Sequence, residues 1–509
     1  MRSLRRTFVT AILSTTALAG IATAEAAPAY QHVLLISVDG MHAVDLDNYA
    51  TAHPQSALAA LRKSGIEYTS AMTPMPSDSF PGMLALVTGG TPHATGVYYD
   101  DSYERTFFKP GSDCTGAPGA ETTFAENIDV DSDRLDGGGT PGKVMTQIDA
   151  KKLPMTLIDG KCVAVYPHSF PRVNNAFEVV RSHGGRTAWS DKHPAYEMLS
   201  GPSGTGLDDF YALEQDSLIE GTKKATTASY KAERDFDEAR VKVILNEISG
   251  LDSTGTVKAP VPALFGMNFQ AVSVGQKLPK SGPTDPEGLV GGYADASGTP
   301  NNALAGQLDY VDSAIGEMTA ALKAAHLDGN TLVIVTAKHG QAPIDPGSVQ
   351  KLDDEPYGKM PGYAFHIADD ASLIWLDPAT RATDLPAAEA YLQANRAALG
   401  IGKVWTPNQM ALAFADPASD SRVPDLMVTV NPGVVYTSGK KIAEHGGANH
   451  DDRNVVLLLS NPTLARKSVN ALVQTTQVAP TILSALGYDA KELQAVGIEG
   501  TQALPALPF

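Results

Sequence analysis

TLVIVTAKHGQAPID, residues 331–345, decides the fold. Five of its first six residues are β-branched and the other, Leu332, is also apolar. Such a run predicts a strand buried on both faces, as strands of parallel sheets are. The strand stops at the Gly340 turn, with Lys338 and His339 at its carboxyl end. In open α/β sheets that end is where ligands bind, so the pair marks a candidate site.

Further strand-like runs lie at 32–38 (HVLLISV), 263–269 (ALFGMNF), 425–431 (DLMVTVN) and 454–460 (NVVLLLS). Helical patterns at 304–326, 385–398 and 477–486 fall between or beside them. The alternation predicts an α/β fold, a doubly wound, largely parallel sheet with helices on both faces. Residues 100–260 differ, being rich in Gly, Pro, Ser and Asp, with few strand signals and one amphipathic helix near 228–249. They are expected to form an inserted cap on a single large domain spanning 27–509.

The chain opens with Arg2, Arg5 and Arg6, then an apolar stretch from Phe8 to Ala22 and small residues suited to cleavage after Ala24 or Ala26. That pattern is an export signal over 1–26, and the Arg5-Arg6-Thr7-Phe8 run resembles a twin-arginine signal. The expected location is therefore periplasmic or secreted, with no later run long enough to span a bilayer. A net charge of −18 is a poor platform for a nucleic-acid polymer. The only two cysteines, Cys114 and Cys162, are expected to pair in an oxidising compartment.

Three further segments could carry chemistry. Asp39 ends the first strand run, where Asp-Gly is also a common turn. In PSDSFPGMLALVTGG (76–90), Pro81 fits the first position of a helix ending at Gly89-Gly90, so Ser79 lies at or next to its N-cap. Ser79 is either an ordinary cap or a nucleophile whose oxyanion meets free backbone N–H groups. His445 sits in a glycine-rich loop before the last strand run. TAWSDKHPAYE (187–197) gathers Trp189, Asp191, Lys192, His193 and Tyr196 in an expected loop, with His193 the substrate-contact candidate against a plain solvated histidine. His450 of NHDDR is read as solvated in the same way.

The order VDG (38–40), SFP (79–81), TGGTP (88–92), HG (339–340), HGG (445–447) and VAPTILSALG (478–487) resembles the type I phosphodiesterase/nucleotide pyrophosphatase family of the alkaline phosphatase superfamily. The resemblance implies a phosphoester hydrolase acting on a small molecule, with Ser79 as the transiently phosphorylated nucleophile. It also implies a metal-binding role for Asp39, His339 and His445.

The chain departs from that pattern at three places. Lys338 replaces the aspartate of the family's DHG, Val272 and Gln276 replace its D-x-x-x-H pair, and Gly82 replaces the asparagine that contacts the substrate oxyanion. Two carboxylates and a histidine are thereby lost and an ammonium gained, so at most one divalent ion is expected, with imidazole ligands favouring zinc over calcium. Lys338 is expected to supply fixed positive charge where the family uses metal. Two other readings remain, a serine-lysine hydrolase acting on esters or acyl groups and a non-catalytic binding protein on a decayed scaffold. Oligomeric state is not specified by these features.

Overall fold

The computed structural model describes residues 29–124 and 128–509; the export signal read at 1–26 lies outside them. Eight strands form the central sheet. From one edge they run Lys467–Val469, Gly65–Tyr68, Leu457–Ser460, Thr331–Thr336, His32–Val38, Leu264–Phe269, Thr187–Asp191 and Asp209–Ala212. His32–Val38 pairs in parallel with both neighbours, Ile36 lying opposite Met267 and Val335. Parallel pairing sends the carboxyl ends of five adjacent strands to one edge, and the chain that follows each strand meets there.

Alternation along these strands fills two cores. Val33, Leu35, Leu332 and Ile334 face one of them, with helices Ser79–Thr88, Ala176–Ser182 and Val478–Ala485. Leu34, Ile36, Val333 and Val335 face the other, with helices Tyr230–Ile248 and Asn302–Ala324. The β-branched run therefore is buried on both faces, and the sheet is doubly wound as expected.

Three segments depart from the sequence reading. Leu457–Ser460 runs antiparallel to both its neighbours, so the loop that precedes it, with His445, arrives at the same edge as the carboxyl ends of the parallel strands. The 425–431 run is not in this sheet: Leu426–Val430 is the third strand of a separate antiparallel sheet, between Ala371–Leu376 and Ile401–Trp405. Helix Arg381–Ala394 covers that sheet over its own core of Ile374, Leu392 and Val428. Apolar character marks a strand without naming its partner, and here partners nearer in sequence close the shorter loops.

Within 100–260, Thr187–Asp191 and Asp209–Ala212 complete the parallel edge of the main sheet, so that stretch is not wholly inserted. The expected loop at 187–191 is a fully buried strand. Its polar side chains are satisfied internally: Thr187 donates to Gly206 O, Ser190 to Tyr211 O, and Asp191 accepts from the Trp189 indole. Glycine-rich flanks and this polar content hid it from a reading by hydrophobicity. Cys114 and Cys162 are joined by a disulfide, as expected. Among the described residues no helix is long and apolar enough to cross a membrane.

Candidate active site

Ser79 is the first residue of its helix and Asp78 the N-cap, two positions earlier than the Pro81 start expected. Proline tolerates any place in the first turn because the N–H it lacks has no helical acceptor there. The Ser79 hydroxyl is buried at the positive end of the helix, next to the Tyr196 hydroxyl. Behind it Gly82 lets the helix abut the strand end: a Cβ there would stand 1.9 Å from the Lys338 carbonyl oxygen. Gly82 is therefore a close-approach residue, and it does not line the cavity that Ser79 faces. Gly82, named from the sequence as a substrate-binding position because it stands where the family has its oxyanion-contacting asparagine, packs its backbone on Lys338.

Asp39 emerges from the central strand into a ring of proton donors. Its Oδ2 accepts from Lys338 Nζ at 2.6 Å and from the Gln270 amide, and lies 3.6 Å from Lys192 Nζ and 3.5 Å from His339 Nε2. Burial alone would raise this carboxyl, but Lys338, His339 and Lys192 together hold it well below the usual carboxylate range. The same burial pushes Lys338 down to about 8, against the pull of Asp39. Lys192 stays above its ordinary value, because Asp39 and Asp191 outweigh the cost of its burial.

The structure places Asp39, His339 and His445 side by side, the rings of the two histidines being centred 4.0 Å apart. These residues do not fit a metal centre of the family kind. Ammonium and amide N–H groups have no lone pairs to offer an ion, and three of them crowd Asp39 Oδ2. A divalent ion about 4 Å from an ammonium would face roughly 8 kcal/mol of repulsion at an effective dielectric of about 20. Val272 is apolar core, and Gln276 donates to Gly40 O at 2.8 Å and to Tyr293 Oη at 2.8 Å, so neither supplies a ligand.

His445 faces the residue before the serine, its Nδ1 lying 3.1 Å from Asp78 Oδ1. Burial first, then the nearby His339, keeps His445 well below its ordinary value, and burial likewise lowers His339, so both rings are neutral. Burial raises Asp78 to about 7. The turn after His445 depends on Gly446, whose φ of 96° and contact with Tyr99 leave no room for a Cβ.

Ser79, Lys192, His193, Tyr196, Gln270 and His445 line one cavity of about 200 Å³. His193 is thus buried at this cavity and not a solvated loop residue, and it contacts Glu214 through Nδ1 at 2.9 Å. Sequence reasoning gave no role to Asp78, Gln270 or Tyr196. The Tyr196 ring packs edge-on against Phe80 with centroids 5.0 Å apart, and Lys338 Nζ lies 5.2 Å above it. The one signal for Asp78 was a carboxylate immediately before the serine in an otherwise apolar helix start. Lys192 was noticed and does lie in a loop, whereas Tyr196, placed in the same loop, belongs to the short helical segment Pro194–Ser200. His450, by contrast, is the exposed first residue of the short helix His450–Arg453 and does not line this cavity.

The fold matches solved structures at low identity. Murine ectonucleotide pyrophosphatase/phosphodiesterase 5 superposes with a TM-score of 0.54 at 15% identity, covering 90% of this chain and 96% of that one. An inactive variant of that protein in complex with AMP gives 0.52 at 15% identity, over 90% and 96%. The alkaline phosphatase PafA gives 0.61 at 11% identity, over 91% and 96%. No curated protein matches the chain. The family model for type I phosphodiesterase/nucleotide pyrophosphatase matches residues 33–452. That match takes in Asp39, Ser79, His339 and His445, and with them most of the chain, which therefore belongs to the type I phosphodiesterase/nucleotide pyrophosphatase family.

Proposed function

We propose that the chain hydrolyses small phosphoesters through Ser79, with the lysines at Asp39 supplying the positive charge of the reaction centre. The observation that carries this reading is a buried serine hydroxyl at a helix N-terminus, in a cavity that it shares with Lys192, Tyr196 and His445. Helix N–H groups and Lys192 receive the charge that develops on the phosphoryl oxygens. Lys338, ion-paired behind them, adds a fixed field and needs no metal. A volume of about 200 Å³ falls short of the roughly 300–1,000 Å³ of drug-sized pockets. It suits the phosphoryl end of a substrate whose leaving group points outward.

In the first step Ser79 Oγ attacks phosphorus and the bond to the leaving oxygen breaks. The serine proton passes to neutral His445, which Asp78 orients, and from there to the leaving oxygen. Water then attacks the phosphoserine, gives a proton to His445, and the released serine oxygen takes it back. The Cys114–Cys162 disulfide and the N-terminal pattern support an exported protein.

Ser79→Ala should lower turnover of p-nitrophenyl phosphate and bis-p-nitrophenyl phosphate by about 10⁶-fold, as loss of a serine nucleophile does elsewhere. Retained turnover would sink the assignment. A second reading, serine-lysine hydrolysis of carboxylic esters, draws on the low value of Lys338, about 8. Turnover of p-nitrophenyl acetate that exceeds that of both phosphoesters and is lost in Ser79→Ala would favour it.

A further inference from the structure

We propose that His193, Glu214 and Asp216 form a divalent-cation site in the wall of the Ser79 cavity, separate from the cluster at Asp39. Thr187–Asp191 and Asp209–Ala212 are adjacent parallel strands. His193 leaves the first two residues past its end, and Glu214 and Asp216 leave the second, so all three meet at the carboxyl edge of the sheet. One ligand atom from each lies within 4.8 Å of the others. His193 Nδ1 stands 2.9 and 3.1 Å from the two Glu214 oxygens. His193 and Asp216 line the cavity, so an ion there can be reached from it.

A second observation points the same way. Asp129 is 1% exposed, its Oδ1 has no hydrogen-bond partner, and it interacts with both Glu214 and His193. An imidazole and three carboxyl groups thus crowd one spot with an acceptor to spare. At Asp39, by contrast, two ammonium groups crowd Oδ2. The donor set of one imidazole nitrogen with carboxylate oxygens suits zinc or manganese. It does not suit calcium, which takes six to eight oxygens. Two added positive charges on this wall would favour substrates that carry an anionic or hydroxyl group beyond the phosphoryl end.

Calorimetric titration of the purified, chelator-stripped protein with zinc chloride, and separately with manganese chloride, tests this without reference to turnover. A failure of the Ser79 reading therefore leaves it untouched. One ion should bind per chain. Loss of a second-shell partner alone typically weakens metal binding 10- to 100-fold, so a lost ligand should cost at least about 100-fold. Asp216 is only half-buried and its replacement spares the core, so Asp216→Asn should show that loss with the fold intact by circular dichroism. His193→Ala should show it too; if that variant does not fold, the Asp216→Asn titration decides alone. His339→Ala should bind zinc as the wild type does. The proposal is overturned if the wild type binds neither metal, if Asp216→Asn keeps full affinity, or if His339→Ala abolishes binding.

Discussion

Asp39 and Glu214 are both buried carboxylates just past the ends of parallel strands, and their surroundings are opposite in kind. Around Asp39 stand two ammonium groups and an amide N–H, all proton donors. Around Glu214 stand His193, Asp129 and Asp216. The difference teaches how one sheet edge can make two kinds of positive centre. At Asp39 the chain builds its cation from its own side chains, fixed in place and proof against chelators. At Glu214 it gathers an imidazole and carboxyl groups that a mobile cation can use. A covalent cation is preorganised and costs no reorganisation during reaction, which is the condition under which electrostatic stabilisation is largest.

Removing the anion that holds the lysines is expected to break this comparison most severely. Asp39→Asn leaves Lys338 and Lys192 as neighbouring buried ammonium groups with Asp191 as the buried counter-charge they share, a change that costs about 3–5 kcal/mol. Urea unfolding at pH 6 should read that loss. The deficit should shrink as pH approaches about 8: in the variant Lys338 sheds its proton earlier than in the wild type, where it titrates near 8. A variant as stable as the wild type at pH 6 would mean that the ion pair is not the anchor of this cluster. Next in size is Lys338→Met, which keeps the stem and removes the charge. Turnover should fall about 100- to 1,000-fold, with KM little changed and no rescue by added zinc. A loss of less than about tenfold would reduce Lys338 to a structural partner of Asp39.

Much of this arrangement was legible in the sequence because parallel-sheet strands are continuous apolar runs and their carboxyl ends carry the chemistry. Asp39, His339 and Lys338 follow two such runs directly, and Ser79 announces itself by the helix start at SFP. What stayed hidden was cross-chain in origin. Nothing in TAWSD signals that its polar side chains would be satisfied by Gly206 and Tyr211, so the strand Thr187–Asp191 was read as loop. The pairing of Leu426–Val430 outside the main sheet was hidden for the same reason, since a strand's partner is set by tertiary packing. Gly82 looked like a lost oxyanion contact, whereas the 1.9 Å approach of the Lys338 carbonyl to its would-be Cβ explains the glycine by packing alone.

The smallest expected effect is also the one that separates the two roles open to Lys338. If it acts as a cation, it must be protonated, and with its value near 8 the rate must fall as pH rises through about 8. If instead it acts as the base of a serine-lysine pair, it must be neutral, and the rate must rise through that same value. On the acid side, Asp78 has to be ionised to hold the His445 tautomer that accepts the serine proton, and burial has raised it to about 7. Hydrolysis of p-nitrophenyl phosphate is therefore expected to give a narrow bell in kcat/KM, rising through about 7 and falling through about 8, tenfold per pH unit on each outer limb. Asp78→Asn should flatten the acid limb and Lys338→Met the alkaline one, each leaving the other in place. Because the two groups titrate within about one unit of each other, the limbs belong to the site as a whole until those variants assign them. A profile that climbs through 8 in the wild type and loses that climb in Lys338→Met would make Lys338 the base, and would move the function from phosphoryl towards acyl transfer.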